Sequence, residues 1–254
     1  MWDSDIYRDY YRRKTEQLKL RFELEQQSFF FKFTKGTLAK SFIPRVNNLR
    51  VGIVRVPREL KPLIDFLNKN TEIWCVVDFG GGGGDNYLRI GNFLRSKSNP
   101  YFCVDNTHLI SFGAQLFKDL DQGSFLVNKI CFVESLDYVP KHENYILVLI
   151  GVLQYLPRID EFLGSLNFKP QAIFIARTAF IVGDGSILEQ TSTFQPGNNE
   201  LKTNYRTYNF ESLVQMLNTM GYDLSDRSKS YKGNVNFSEN TEHTYVGLLF
   251  ILKK

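Results

Sequence analysis

Five consecutive glycines, Gly80 to Gly84, follow the apolar run Val76-Val77-Asp78-Phe79. Glycine reaches positive φ without steric cost and lets a ligand lie close against the backbone. It also loses more conformational freedom on folding than any other residue, so five in succession are costly unless something must pack against them. A helix beginning after them would turn its first N–H groups toward the same place. Asp105 ends the next apolar segment, 21 residues after Gly84. A carboxylate there would stand beside a ribose bound across the first two strands and accept from both hydroxyls.

The loop also says which nucleosides fit poorly. A phosphate-cradling loop needs a Gly-Lys-Ser/Thr ending, absent here. The dinucleotide fingerprint fails in each frame. Counted from Gly80, Gly81 or Gly82, its sixth position is Asp85, Asn86 or Tyr87. Asp78 puts a negative charge at the loop entrance, which would repel a pyrophosphate and suit a cation such as the α-ammonium of a methionine moiety.

Other chemistry is sparse. Arg177 ends a later apolar run, where its planar fork suits a phosphate or carboxylate. The histidines are His108, His142 and His243, and none is well placed as a general base. Cys75, Cys103 and Cys131 have no metal-type spacing and lie in or beside apolar runs, as buried reduced cysteines of a cytoplasmic protein would.

These residues need a scaffold, and the apolar segments describe one. Pro62 suits the first turn of a short helix over Leu63–Asn68. Strands are expected over 73–79, 101–105, 129–133, 145–152 and 172–176. The run YILVLIGV is apolar throughout, as a strand covered on both faces would be. Helices are expected over about 85–97, over His108–Leu120 and after Pro157. Alternation of strand and helix implies right-handed crossovers and a parallel sheet. Residues 177–208 read as a long irregular stretch. Asn209 can cap a helix ended by Gly221, and the segment 222–232 should pair with a final strand over 245–253.

Residues 1–60 hold 13 Lys/Arg against 7 Asp/Glu; the remainder holds 18 against 20. The division expected is a basic N-terminal helical extension or lid over 1–60, with a helix over 5–28 and a phenylalanine cluster at 29–33, and one α/β domain over 61–254. The extension could attract an anionic substrate or make peripheral contact with a membrane surface. No 18-residue apolar run or secretory core is present. No nucleic-acid motif appears.

The pattern Asp78-x-Gly80-x-Gly82-x-Gly84, with Asp105 and a terminal strand pair, resembles class I S-adenosylmethionine-dependent methyltransferases over about residues 70–254. The resemblance implies a Rossmann-like fold with a mostly parallel seven-stranded sheet and an antiparallel last strand. It implies S-adenosylmethionine as cofactor, its methionine end held by Asp78 and the loop, its ribose by Asp105 with Asn106 alongside. Glu134 and Ser135 would then pass the adenine. Gly151 would set backbone beside the amino acid and sulfonium, with Gln154 and Tyr155 facing the methyl group.

The segments VVDFGGGGGDNY, FCVDNTHLISFG, VLIGVLQYL and IFIARTAF more narrowly resemble a family of bacterial methyltransferases encoded with surface-polysaccharide or lipopolysaccharide genes. Members often carry a glycine-poorer loop and Glu at the ribose position, where this chain has Gly81–Gly83 and Asp105. The resemblance implies a substrate in glycan or glycan-decoration metabolism; with Arg177 at the end of its apolar run the expectation is a small anionic, nucleotide-linked or sugar-linked acceptor, with Gln154, Tyr155 and Arg177 on the acceptor side. Oligomeric state is not legible. Two other classes stay open: a nicotinamide-dependent oxidoreductase and a cofactor-binding but inactive partner subunit.

Overall fold

The structure is a computed structural model that describes residues 57–84, 86–87, 90, 99–121, 130–156, 158–194, 199–232 and 242–253. The expected helix over 5–28, the phenylalanine cluster and most of the helix over 85–97 lie outside the described residues.

The expected parallel strands form: β1 Cys75–Phe79, β2 Tyr101–Val104, β3 Ile130–Val133, β4 Tyr145–Ile150 and β5 Ala172–Ala176. After them come β6 Ala179–Ile181, β7 Ile187–Phe194, β8 Asn199–Arg206, β9 Tyr208–Asn209, β10 Tyr222–Arg227, β11 His243–Tyr245 and β12 Leu248–Leu252. The central sheet has seven strands in the order β10-β12-β5-β4-β1-β2-β3. Within it β12 runs antiparallel to both β5 and β10, and the other neighbours are parallel. Strand order reverses between β1 and β4, which opens a crevice at their carboxyl ends.

Both faces of the middle of the sheet are covered, so β1, β2, β4, β5 and β12 are almost continuously apolar. On one face Val76, Ile146, Val148 and Phe174 pack with α1 (Lys61–Lys69) and with Phe117 of α2 (Thr107–Asp121). On the other, Val77, Leu147 and Ile173 pack with α3 (Ile159–Gly164) and α4 (Phe210–Thr219). Leu60 is fully buried in the first of these clusters. The compact unit therefore includes the short 3₁₀ turn Arg58–Leu60 that precedes α1. Asn209 caps α4 by accepting from the Ser212 N–H, as its position predicts.

Two expectations are corrected. Residues 177–208 are not irregular: β7 and β8 form an eight-residue antiparallel hairpin, and β6 lies between β11 and β9 in a small second sheet. Thr191, Thr193, Thr203 and Tyr205 favour strands, and Pro196-Gly197-Asn198 is a turn signal. The arms carry polar residues at both alternate positions, so apolar periodicity misses them. Cys131 is exposed on the edge strand β3, whereas Cys75 and Cys103 are buried, and none of the three forms a disulfide. Burial pushes the Cys75 thiol up to about 12.

Candidate active site

The glycine loop leaves β1 at the crevice. The Gly80 N–H donates to the Val104 carbonyl at 2.8 Å, which hooks the end of β1 onto β2. Its φ is 71°, and a Cβ there would stand 2.6 Å from Cγ2 of Val152. Gly82, at φ 59°, donates its N–H to Oδ2 of Asp105 at 2.8 Å, while its carbonyl accepts from the Cys103 thiol at 3.3 Å. Gly84 closes the turn with an N–H bond to the Gly81 carbonyl at 3.2 Å.

Asp105 stands at the carboxyl end of β2, facing this loop. Its second oxygen accepts from the Asn106 N–H at 2.7 Å and from the Asn106 side-chain amide at 3.1 Å. Asn106 in turn accepts the Leu109 N–H at 3.1 Å at the start of α2. Burial pushes the Asp105 carboxyl above its ordinary range; the N–H groups of Asn106 and Gly82 partly oppose this by favouring the charged form. Each oxygen of a carboxylate has two lone pairs, so Asp105 keeps acceptor capacity for further donors.

Asp78 lies behind the loop. It is 0 % exposed. Its carboxylate accepts from the Tyr101 hydroxyl and from the Asn86 amide at 3.2–3.3 Å. A Cβ on Gly81 would fall 2.6 Å from its Oδ2 and 2.7 Å from Sγ of Cys103. In this structure the carboxylate expected to meet an ammonium group faces the back of the loop, with no solvent-exposed surface.

The other wall of the crevice comes from the ends of β4 and β5. The Gly151 N–H donates to the Ala176 carbonyl at 2.8 Å. The 3₁₀ turn Leu153–Tyr155 follows. Gln154 is buried, with its amide on the Gly151 carbonyl at 2.8 Å and its oxygen accepting from Thr178 at 3.4 Å. It ties the two strand ends together. Tyr155 is half-buried and meets Tyr205 edge-on at 5.9 Å.

Arg177 follows β5 with a left-handed backbone, φ 57°. Its guanidinium donates through Nε and one Nη to Oε1 of Glu59, both at 3.2 Å. The side chains are 32 % and 11 % exposed. Sequence reasoning missed Glu59, which lies 118 residues away and carries no local signal. It also missed the tyrosines gathered beside it. Tyr231 stacks on Tyr245 at 5.6 Å, and the Tyr205 hydroxyl accepts the Ala179 N–H at 3.2 Å. Burial pushes the Tyr231 hydroxyl up to about 12; the Glu59 carboxylate adds to this and Arg177 opposes it. The Tyr245 hydroxyl packs in the same cluster as Tyr205, is buried, and has no hydrogen-bond partner among the described residues. No such cluster shows in the sequence, because its members come from four separate segments.

The other singled-out residues lie outside the loop; the Asp105 N–H donates to the Val133 carbonyl at 3.3 Å, so Glu134 and Ser135 follow β3 beside Asp105. Glu134 is exposed, and Ser135 caps the turn Leu136–Tyr138 by accepting the Asp137 N–H at 3.2 Å. His142 engages the Asn144 carbonyl just before β4 begins, at the opposite end of the sheet from the loop. His243 lies on β11, edge-on to Tyr245.

This topology is the Rossmann-like fold of class I methyltransferases. The N-terminal domain of EvdMO1 with S-adenosylhomocysteine bound aligns at a TM-score of 0.52 and 8% identity, over 78% of this chain and 82% of that one. A glycopeptide N-methyltransferase, MtfA, complexed with sinefungin aligns at 0.49 and 11%, over 77% and 87%. An S-adenosylmethionine-dependent methyltransferase from Clostridium acetobutylicum aligns at 0.46 and 11%, over 78% and 92%. At such identities the likeness is one of fold. No protein-family model matches the chain. No curated protein matches it. Among the described residues no helix is long and apolar enough to cross a membrane.

Proposed function

We propose that this chain transfers a methyl group from S-adenosylmethionine to a small acceptor. The observation that carries the reading is the pairing of the Gly82 N–H with Asp105 at the crevice where strand order reverses. The course of the loop past Asp105 depends on glycine, because a Cβ at Gly80 would overlap Val152. The domain of EvdMO1, which shares the fold, holds S-adenosylhomocysteine.

Bound here, S-adenosylmethionine supplies a methyl group already activated on a sulfonium. The residues then divide by position. Asp105, braced by Asn106, would accept from ribose hydroxyls; Gly80, Gly82, Gly84 and Gly151 would offer backbone to the amino-acid end, with Asp78 behind them. Glu134 and Ser135 lie after β3, beyond Asp105, and would border the adenine. Gln154 and Tyr155 form the methyl-side wall. Alignment of acceptor and methyl supplies much of the acceleration in such a displacement. Arg177 would bind an anionic or sugar-linked acceptor of surface-polysaccharide biosynthesis with the guanidinium donors that Glu59 leaves over. Of the expected lid over 1–60, the part before Arg58 would cover the opening, since Arg58–Leu60 pack into the folded unit, and three cysteines outside any disulfide suit a cytoplasmic enzyme.

Thermal unfolding tests the reading. S-adenosylhomocysteine should raise the unfolding temperature by mass action, and NAD and ATP should not. A shift with NAD and none with S-adenosylhomocysteine overturns it.

A further inference from the structure

We infer that Asp78 and Tyr101 form a strut behind the glycine loop that sets cofactor affinity by positioning Gly81 and Gly82, without touching the cofactor. The inference rests on the reading of this loop as the S-adenosylmethionine site. It assigns Tyr101 a role that no motif suggests, since Tyr101 opens β2 and sits three residues before that strand's end.

A buried carboxylate is costly unless hydrogen-bonded. Asp78 is 0 % exposed and takes donors from Tyr101 and Asn86. Those donors fix where its oxygens lie, and Oδ2 lies where a Gly81 side chain would be. Tyr101 is itself braced. Its ring meets Tyr87 edge-on at 5.1 Å, and Tyr87 meets Phe117 of α2 at 5.7 Å. Phe117 also backs the far end of the loop, where a Cβ on Gly84 would stand 2.8 Å from its ring. The loop therefore rests on Asp78 at Gly81 and on Phe117 at Gly84, and Asp105 holds it from the other side at Gly82. Loss of the Tyr101 hydroxyl leaves a fully buried carboxylate short of a donor. The group that can shift in response is the loop leaning on it.

Calorimetric titration with S-adenosylhomocysteine, and with its analogue lacking the α-amino group, tests this on four full-length chains: wild type, Tyr101→Phe, Asp78→Asn and the double variant. Tyr101→Phe keeps the ring and should weaken S-adenosylhomocysteine binding about tenfold, or ~1.4 kcal/mol. The double variant should be no weaker than the worse single one, as residues acting as one unit are non-additive. Each variant should lose the same factor for both ligands. Should Asp78→Asn not fold, Tyr101→Phe with the two ligands carries the test alone. Two results overturn the inference: wild-type affinity in Tyr101→Phe, whether or not its unfolding midpoint falls, or a loss confined to the ligand that carries the amino group. If wild type itself fails to bind S-adenosylhomocysteine, the reading of the site falls, and the strut with it.

Discussion

Arg177 reaches Glu59 from a left-handed backbone: Nε and one Nη both donate to Oε1 at 3.2 Å, with φ at 57°. A non-glycine residue in that region costs on the order of 1 kcal/mol, so other contacts hold it there. Glu59 is anchored too, because a Cβ on Gly247 would lie 2.0 Å from its carbonyl oxygen. The pair fastens the segment before α1 to the rim above β5.

Glu59→Gln should therefore lower stability by about 1–2 kcal/mol in urea denaturation. That is less than for a fully buried pair, because solvent reaches the exposed part of Arg177. Gly247→Ala should cost more, since backbone must move. Arg177→Met should weaken acceptor binding and leave S-adenosylhomocysteine affinity nearly unchanged. Equal losses for both ligands would remove Arg177 from the acceptor side.

Asp105→Ala should remove charge-assisted hydrogen bonds to the ribose. The loss is on the order of 1.5–3 kcal/mol, or roughly ten- to a hundredfold in affinity, with the fold intact. Calorimetry showing wild-type affinity would place the ribose elsewhere.

Acidity offers a second measure of the same residue. Burial raises the Asp105 pKa in the folded chain. The folded state then holds this proton more tightly than the unfolded one, so the residue's contribution to stability falls as pH rises through the interval between the two values. Ribose hydroxyls need the ionised form as acceptor. S-adenosylhomocysteine affinity should thus decline on acidification, starting above the usual aspartate range, and Asp105→Asn should abolish that slope. A wild-type profile as flat as the variant's would contradict it.

Backbone shape at the loop is open to direct test. Gly80→Ala meets both the positive φ and the Val152 side chain at 2.6 Å, and should cost about 2–4 kcal/mol of stability. Gly82→Val, at φ 59°, should abolish binding of S-adenosylhomocysteine in protein that still folds. A folded variant that binds normally would show that the ligand does not approach Gly82.

Much of this was legible in the sequence. The five parallel strands and β12 announce themselves through near-continuous apolar runs, because the middle of the sheet is covered on both faces; β10, with its polar edge residues, was legible only as the partner of β12. Asp105 and the loop were legible because their spacing follows the strand–helix rhythm. The β7–β8 hairpin was not, because polar residues at both alternate positions give no apolar phase. Glu59 and the tyrosine cluster were invisible for another reason: they meet only in three dimensions, across separations that leave no local pattern. The burial of Asp78 and its hydrogen bonds with Tyr101 and Asn86 were not legible either, because no spacing rule links the three.

The placement of β12 between β5 and β10 has a kinetic side. Residues 248–252 complete the sheet from within, so the edge of β5, Ala-Ile-Phe-Ile-Ala, stays unpaired on a nascent chain until they leave the ribosome. The contact closes a loop of about 70 residues, the kind of long-range pairing that slows folding. Until then the open edge is a template for a stray strand. The protein's exposure to aggregation through this edge should therefore last until the short segment Leu248–Leu252 has been made and has paired with β5.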